Sequence, residues 1–427
     1  MAGAGMTLAH YQTQFDQMLV RDYFPDVIQP IRKKAFSKFL ETGFPTQKWE
    51  DWRFTNLSHL KKQLYRISDS RDLPITAPNS STYTMDGVET LVIYNGHYQK
   101  ELSSNPNGIR VLTGLEYFHE KSGRIETAAE NPFDLLNTAF MDSGLSLVID
   151  QNTNVVTPIR ILFISSGVDP IIVSPRVYVD INESSSATFI EHHVGDAAAI
   201  FQNSSIFISV TENALLNHIR IQSNSESAQH VANLSVNLLR NSQYNFFQFA
   251  QGSRLDRSNI RVKLKEEGAQ CTLNGLSLSA GNQHLDSQIL MDHLAPNCTS
   301  SQNFKSILQQ SSSGVFNGRV IVREGAQKTD AKQSNKNLLL SKQAGMNSNP
   351  QMEIYADDVR CAHGSSTGEL DKDALFYLRS RGLDTLTAKS LMIRGFAAEL
   401  LDSLKHEGVK HYLTTAFDTW IMEKNKK

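Results

Sequence analysis

At 427 residues the chain is too long for one compact core of ordinary size, so two or three structural units, or an elongated stack, are expected. Its 40% hydrophobic and 20% charged residues and 12 prolines describe a folded chain and exclude extended disorder. Forty-two Lys+Arg against 44 Asp+Glu leave a formal charge of −2, which supplies no electrostatic footprint for a nucleic-acid backbone or an anionic membrane.

No apolar run is long enough to span a bilayer, and the opening MAGAGMTLAHYQTQF lacks the basic, apolar, small-residue order of a secretion signal, so a cytoplasmic protein is expected. Cys271, Cys298 and Cys361 are odd in number and contain no Cys-x-x-Cys pair. That pattern suits neither a disulfide framework nor a zinc finger.

Residues 1–70 read as a helical domain. From Val27 to Glu41 the apolar Val27, Ile28, Ile31, Ala35, Phe39 and Leu40 recur at three- and four-residue steps, with Pro30 in the opening turn and Gly43 at the stop. In the QKWEDWRFT stretch that follows, Trp49 and Trp52 are three apart and are expected to share a helical face as a packing anchor. Residues 71–154 are a transition segment, in which Ser, Pro and Asn separate short apolar pieces such as ETLVIYNG and GIRVL.

From residue 155 to 363 the period is two. Val177, Val179 and Ile181 alternate with Arg176, Tyr178 and Asp180; Ile206, Ile208 and Val210 with Phe207 and Ser209; Ile219 and Ile221 with Arg220 and Gln222. Short strands, turns of Ser, Asn and Gly, and no intervening helix predict one continuous β body. A sandwich, a barrel and a β-helix all fit, and no fixed repeat is visible. A coiled stack accommodates the length better than a sandwich of about 100 residues.

Residues 364–427 return to the helical period. Asp371 is placed to cap a helix with Ala374, Leu375 and Leu378 on one face and Gly382 at its end. A second helix runs from about Thr385 to His406, and a third carries Tyr412, Leu413, Ala416, Phe417, Trp420 and Ile421. These helices are expected to cap the open end of the stack or to offer a surface to a partner.

Candidate chemistry is sparse. In DVRCAHG, Asp357, Val359, Cys361 and His363 would share one face of an extended segment. Such neighbours lie ~7 Å apart, beyond the ~3 Å that a nucleophile and its base require. As metal ligands Cys361 and His363 suit zinc, iron or an iron-sulfur centre but do not complete a site, and a packed cysteine remains the simpler reading. NQHLDSQILMDHLAPNC offers His284, Asp286, Asp292, His293 and Cys298, which read as polar residues on the outer face of a strand. The glycines and lysines of FNGRVIVREGAQKTDAKQ match no phosphate-binding loop.

Taken together, GFPTQKWEDWRFT, LNGLSLSAGNQHLDSQILMDHLAP, GVFNGRVIVREGAQKTDAKQSNKNLLLS, PQMEIYADDVRCAHG and LFYLRSRGL resemble the SufB/SufD family of iron-sulfur cluster assembly proteins. The likeness runs from about Gly43 to the end of the chain. Gly364 after His363, and the lack of a cysteine before Cys271, resemble the SufD branch. Gln288 departs from a histidine common in relatives, and the HGSSTGEL turn is also atypical.

The resemblance implies a mainly β fold: a right-handed parallel β-helix flanked by N-terminal and C-terminal α-helical domains. It implies a non-catalytic scaffold that pairs with SufB through the β-helix and docks the SufC ATPase on its C-terminal helices, supporting iron entry and nascent cluster formation. His363, with Cys361 beside it, is implied to stand at the interface with SufB. No cofactor is expected to stay on the isolated chain; an iron-sulfur cluster would form transiently on the complex. A reduced flavin on the complex and a homodimer of the isolated chain are left open. Two readings from other classes are a β-helix enzyme acting on polysaccharide, and a homo-oligomeric structural protein whose helices only cap the stack.

Overall fold

A computed structural model describes residues 2–20, 28–68, 83–121, 131–141, 144–167, 170–195 and 199–424. The alternating stretches form strands, mostly ten residues long, that go in turn to two sheets. One sheet runs from Gly345–Ile354 back through His284–His293 and Ile200–Val210 to Arg110–Thr113; the other runs from Arg360–Gly368 back through Thr299–Leu308 and Ser186–Gly195 to His97–Gln99. Every pairing between successive rungs of the coil is parallel. The result is a β-solenoid with helical regions at its N-terminal and C-terminal sides, the architecture expected from the sequence.

One corner of the coil repeats. Asn152, Ser184, Asn213, Asn241, Gly268, Asn297 and Lys328 all have φ between 52° and 75°, the left-handed region in which Gly and Asn are most at ease. The amide N–H of each donates to the corner carbonyl of the next rung, on Glu183, Glu212, Arg240, Glu267, Pro296, Gln327 and Asp358 respectively, at 2.6 to 3.4 Å. This column is the repeat that the sequence hides. Matching side chains on successive rungs are 26 residues apart at Asn233 and Asn259, 28 at Asn217 and Asn245, 29 at Gln288 and Asn317, and 31 at Gln302 and Gln333.

Alternation along the strands divides their side chains between lumen and outer face. Toward the corner column the lumen is apolar: Ile206, Ile208, Leu234, Val236, Ile260, Val262, Ile289 and Met291 are buried in one cluster with Phe189, Phe246 and Phe304. Each such side chain contributes about 1.5–3 kcal/mol on burial. Elsewhere the lumen is charged. Ile219 and Ile221 point outward beneath the C-terminal helices, alongside Leu413 and Phe417, whereas Arg220 and Gln222 point in. Arg220 lies 3.5 Å from Glu191 and 3.6 Å from Asp256 on the opposite sheet. His193 and His218 approach Glu191 at 2.5 and 3.3 Å, and His230 approaches Asp256 at 3.0 Å. All six side chains are at most 2% exposed.

The helices follow their local signals. Gln29–Thr42 carries Pro30 in its first turn and stops at Gly43, whose N–H reaches the Phe39 carbonyl at 2.7 Å; Val27 falls outside the described residues. Asp371 accepts from the amides of Asp373 and Ala374, and Gly382 follows that helix at φ 95°. Trp49 and Trp52 do not share a helical face. The segment Glu50–Trp52 is a single tight turn with Trp49 extended before it, so Trp52 is buried and Trp49 is 38% exposed.

The buried imidazoles make stability depend on pH. Burial holds His193 at about 4, and it also lowers His218. Glu191 and Asp256 are pushed up by burial, yet are held below the ordinary carboxylate range, Glu191 mainly by Arg220 and His193, Asp256 mainly by His230 and Arg220. An unfolded chain therefore takes up protons that the folded one refuses, first on histidine below pH ~6.5 and then on carboxylate. Urea unfolding is expected to lose on the order of 2 kcal/mol for each imidazole kept neutral between pH 7 and 5. A flat profile over that window would refute a neutral, buried cluster.

Candidate functional site

The coil ends at Arg360–Gly368, which pairs with Asp330–Leu339 on one side and, among the described residues, with nothing on the other. Cys361 stands opposite Ala331 and His363 opposite Gln333. Cys361 packs against the apolar lumen, so His363, two residues on, faces the same way at its open mouth. Cys361 is partly buried and His363 is exposed. Asp357 lies in a bend ahead of the strand and does not join them on one face. Burial pushes the Cys361 thiol up, opposite to what an activated nucleophile needs.

Among the described residues no three His, Cys, Asp or Glu side chains converge to hold a metal ion. Cys361 and His363 thus stand two residues apart on the last strand of the coil with no third ligating side chain beside them among the described residues.

The ligand-rich stretch His284–Cys298 is divided between two faces. His284 and Asp286 point outward, where Thr55 Oγ1 bonds both, at 2.9 Å to His284 Nε2 and 2.5 Å to Asp286 Oδ2. Arg257 donates to the same carboxylate, and its guanidinium lies 3.6 Å from the Trp52 ring centroid. Gln288 Nε2 donates to Asp286 Oδ1 at 2.7 Å. Asp292 pairs with Arg323 at 2.8 Å, while His293 turns into the lumen and meets Ser300 at 2.8 Å. Cys298 is buried and faces backbone carbonyls. His284, Asp286 and Arg257 lock the WEDWRFT segment onto the coil.

Two features escaped sequence reasoning. The charged lumen was signalled only by Glu191, His193, Arg220 and Asp256 falling on inward positions of otherwise apolar strands. The second is which residues form the surface expected on the C-terminal helices: Phe376 is 72% exposed and Tyr377 58%, joined on the next helix, Thr385–Asp402, by exposed Leu386 and Leu391. The helix Lys372–Ser380 buries no residue at all, so it does not simply cap the coil.

The chain matches two family models. Residues 163–396 match "SUF system FeS cluster assembly, SufBD core domain", and residues 7–161 match "SufBD protein N-terminal region". It is 30% identical over 385 residues to the iron-sulfur cluster assembly protein SufD of Escherichia coli, covering 89% of this chain and 90% of that one. It is 31% identical over 429 residues to an iron-sulfur cluster assembly SufBD family protein of Synechocystis, covering 93% and 94%. A SufBD family protein of Mycobacterium tuberculosis is 26% identical over 398 residues, covering 90% and 92%.

A structural role for Asp286 has a measurable consequence. Asp286→Ala strands the buried Arg257 and is expected to cost about 3–5 kcal/mol in denaturant unfolding. Asp292→Ala, which frees the half-exposed Arg323, should cost under about 1 kcal/mol. Equal effects would contradict the locking role.

Proposed function

Because this chain belongs to the SufBD family of iron-sulfur cluster assembly proteins, we infer that it is a SufD-type scaffold subunit of a SufBCD-type complex, pairing with SufB and with the SufC ATPase. It performs no catalysis by itself; ATP hydrolysis belongs to SufC. Its work is to support iron entry and the first steps of cluster formation on the assembled complex, where the cluster is cargo.

The observation that carries this reading is the unpaired last rung. An exposed parallel strand with free backbone donors and acceptors is a template for another chain, and proteins ordinarily cover such edges. A SufB rung laid along Arg360–Gly368 would bury His363 and bring further ligands beside it. His363 is the group we assign to iron or the nascent cluster, with Cys361 as its neighbour. The imidazole suits iron, and a thiol becomes a good ligand once a metal displaces its proton. The same edge allows two copies of this chain to pair when SufB is absent.

Docking of SufC falls to the C-terminal helices. Exposed aromatic and leucine side chains of the Phe376, Tyr377, Leu386 and Leu391 kind are the usual anchors of a protein interface.

Two outcomes follow. Co-expressed with SufB and SufC, His363→Ala is expected to fold and assemble, with stability within about 0.5 kcal/mol of the parent because the residue is exposed, while the purified complex loses most of its iron and acid-labile sulfide. Undiminished cluster content would count against the assignment, and Cys361→Ala beside it reports whether the thiol is needed. Phe376→Ser combined with Tyr377→Ser should abolish co-purification of SufC and leave the pairing with SufB intact. Retention of SufC by that variant would remove the docking surface from this helix.

A further inference from the structure

Directly behind His363, on the preceding rung, is Gln333. Neighbours in a parallel ladder stand about 4.8 Å apart and project to the same side, so the Gln333 amide lies beneath the position of the imidazole. Gln333 is 3% exposed, and its Nε2 donates to Oε1 of Gln302, one rung deeper, at 3.0 Å. Its own Oε1 is buried with no hydrogen-bond partner. An unsatisfied buried acceptor costs about 1–3 kcal/mol, which a fold does not bear without reason.

Room for this amide is built by the opposite sheet. A Cβ on Gly318 would stand 2.0 Å from Gln333 Nε2 and 3.0 Å from its Cδ, so only glycine leaves the amide where it is. The amide nitrogen is held by Gln302 Oε1 on the deeper rung, whose own Nε2 is likewise without a partner, and the Gln333 oxygen is left over on the side of the last rung. The one side chain in register above it that can donate to that oxygen is His363.

We propose that Gln333 is a positioning residue for His363, its Oε1 accepting the N–H of one ring nitrogen so that the other presents its lone pair to iron. This rests on the reading of His363 as an iron ligand. Histidine ligands are commonly oriented by such an acceptor, which sets the tautomer and the ring plane, and removing it weakens metal binding about 10- to 100-fold. When a partner rung covers His363, water is expelled from the mouth and this contact becomes the ring's hydrogen bond within the chain.

The test uses the complex co-expressed with SufB and SufC, titrated with ferrous iron under anaerobic conditions, with thermal unfolding recorded for every variant. Gln333→Leu is expected to assemble and to bind iron about 10-fold or more weakly; Gln333→Ala carries the same expectation should leucine prevent assembly. Gln333→Glu keeps a side-chain oxygen as acceptor but loses the donor to Gln302, so it should melt earlier yet hold iron nearly as well as the parent. Gln302→Leu removes the ladder bond without touching the acceptor and should likewise cost stability rather than iron. Equal losses of iron in Gln333→Glu and Gln333→Leu, or a comparable loss in Gln302→Leu, would mean that the ladder is only structural and would overturn the proposal. Full affinity in Gln333→Leu while His363→Ala loses iron overturns it as well and leaves the ligand reading standing. Full affinity in His363→Ala overturns both.

Discussion

The corner column is the constraint on which the rest depends. Each left-handed residue from Asn152 to Lys328 turns the chain and hands its amide to the next rung, so the pitch of the coil is set at one edge by a single repeated hydrogen bond. With that edge held, the remainder of each rung is free to vary in length. The strands still meet in register, and their side chains fall on the lumen or the outer face by strict alternation. Parallel strands buried on both faces need cover, which the N-terminal and C-terminal helices supply over different parts of the coil.

A coil of this kind has two ends that differ. At the start, antiparallel strands Arg110–Thr113 and His97–Gln99 close the sheets. At the finish, among the described residues, the last strand pairs on one side only, and Cys361 and His363 stand on it. Burial elsewhere suppresses reactivity: Cys271 and Cys298 are enclosed, their thiols pushed up, and His284 and His293 are held by hydrogen bonds. Of the three cysteines, Cys361 on the terminal rung is the one with an exposed imidazole two residues away.

Much of the architecture was readable from residue order because it depends on local chemistry. Asp371, Gly43 and Gly382 announce helix ends by what their side chains and φ angles permit, and the period of two announces strands. The rung repeat was not readable, since spacings of 26 to 31 residues defeat any fixed period, and the shared feature is a backbone conformation rather than a residue type. Alternation at Ile219 and Arg220 gave the period without the side, because a helix covering the outer face reverses the usual inference. Of the proposed site, Cys361 and His363 stood out through their chemistry and through the stretch PQMEIYADDVRCAHG that carries the family resemblance. Gln333 did not, because an unused acceptor exists only in three dimensions.

The lock between Thr55 and Asp286 joins residues 231 positions apart. On a ribosome adding about 5–20 residues per second, the N-terminal segment therefore emerges on the order of 10 to 50 s before the strand that will seat it. During that interval Trp52 has no Arg257 to stack on. The WEDWRFT segment thus waits for a strand made much later, so its seat on the coil is completed only after most of the coil exists.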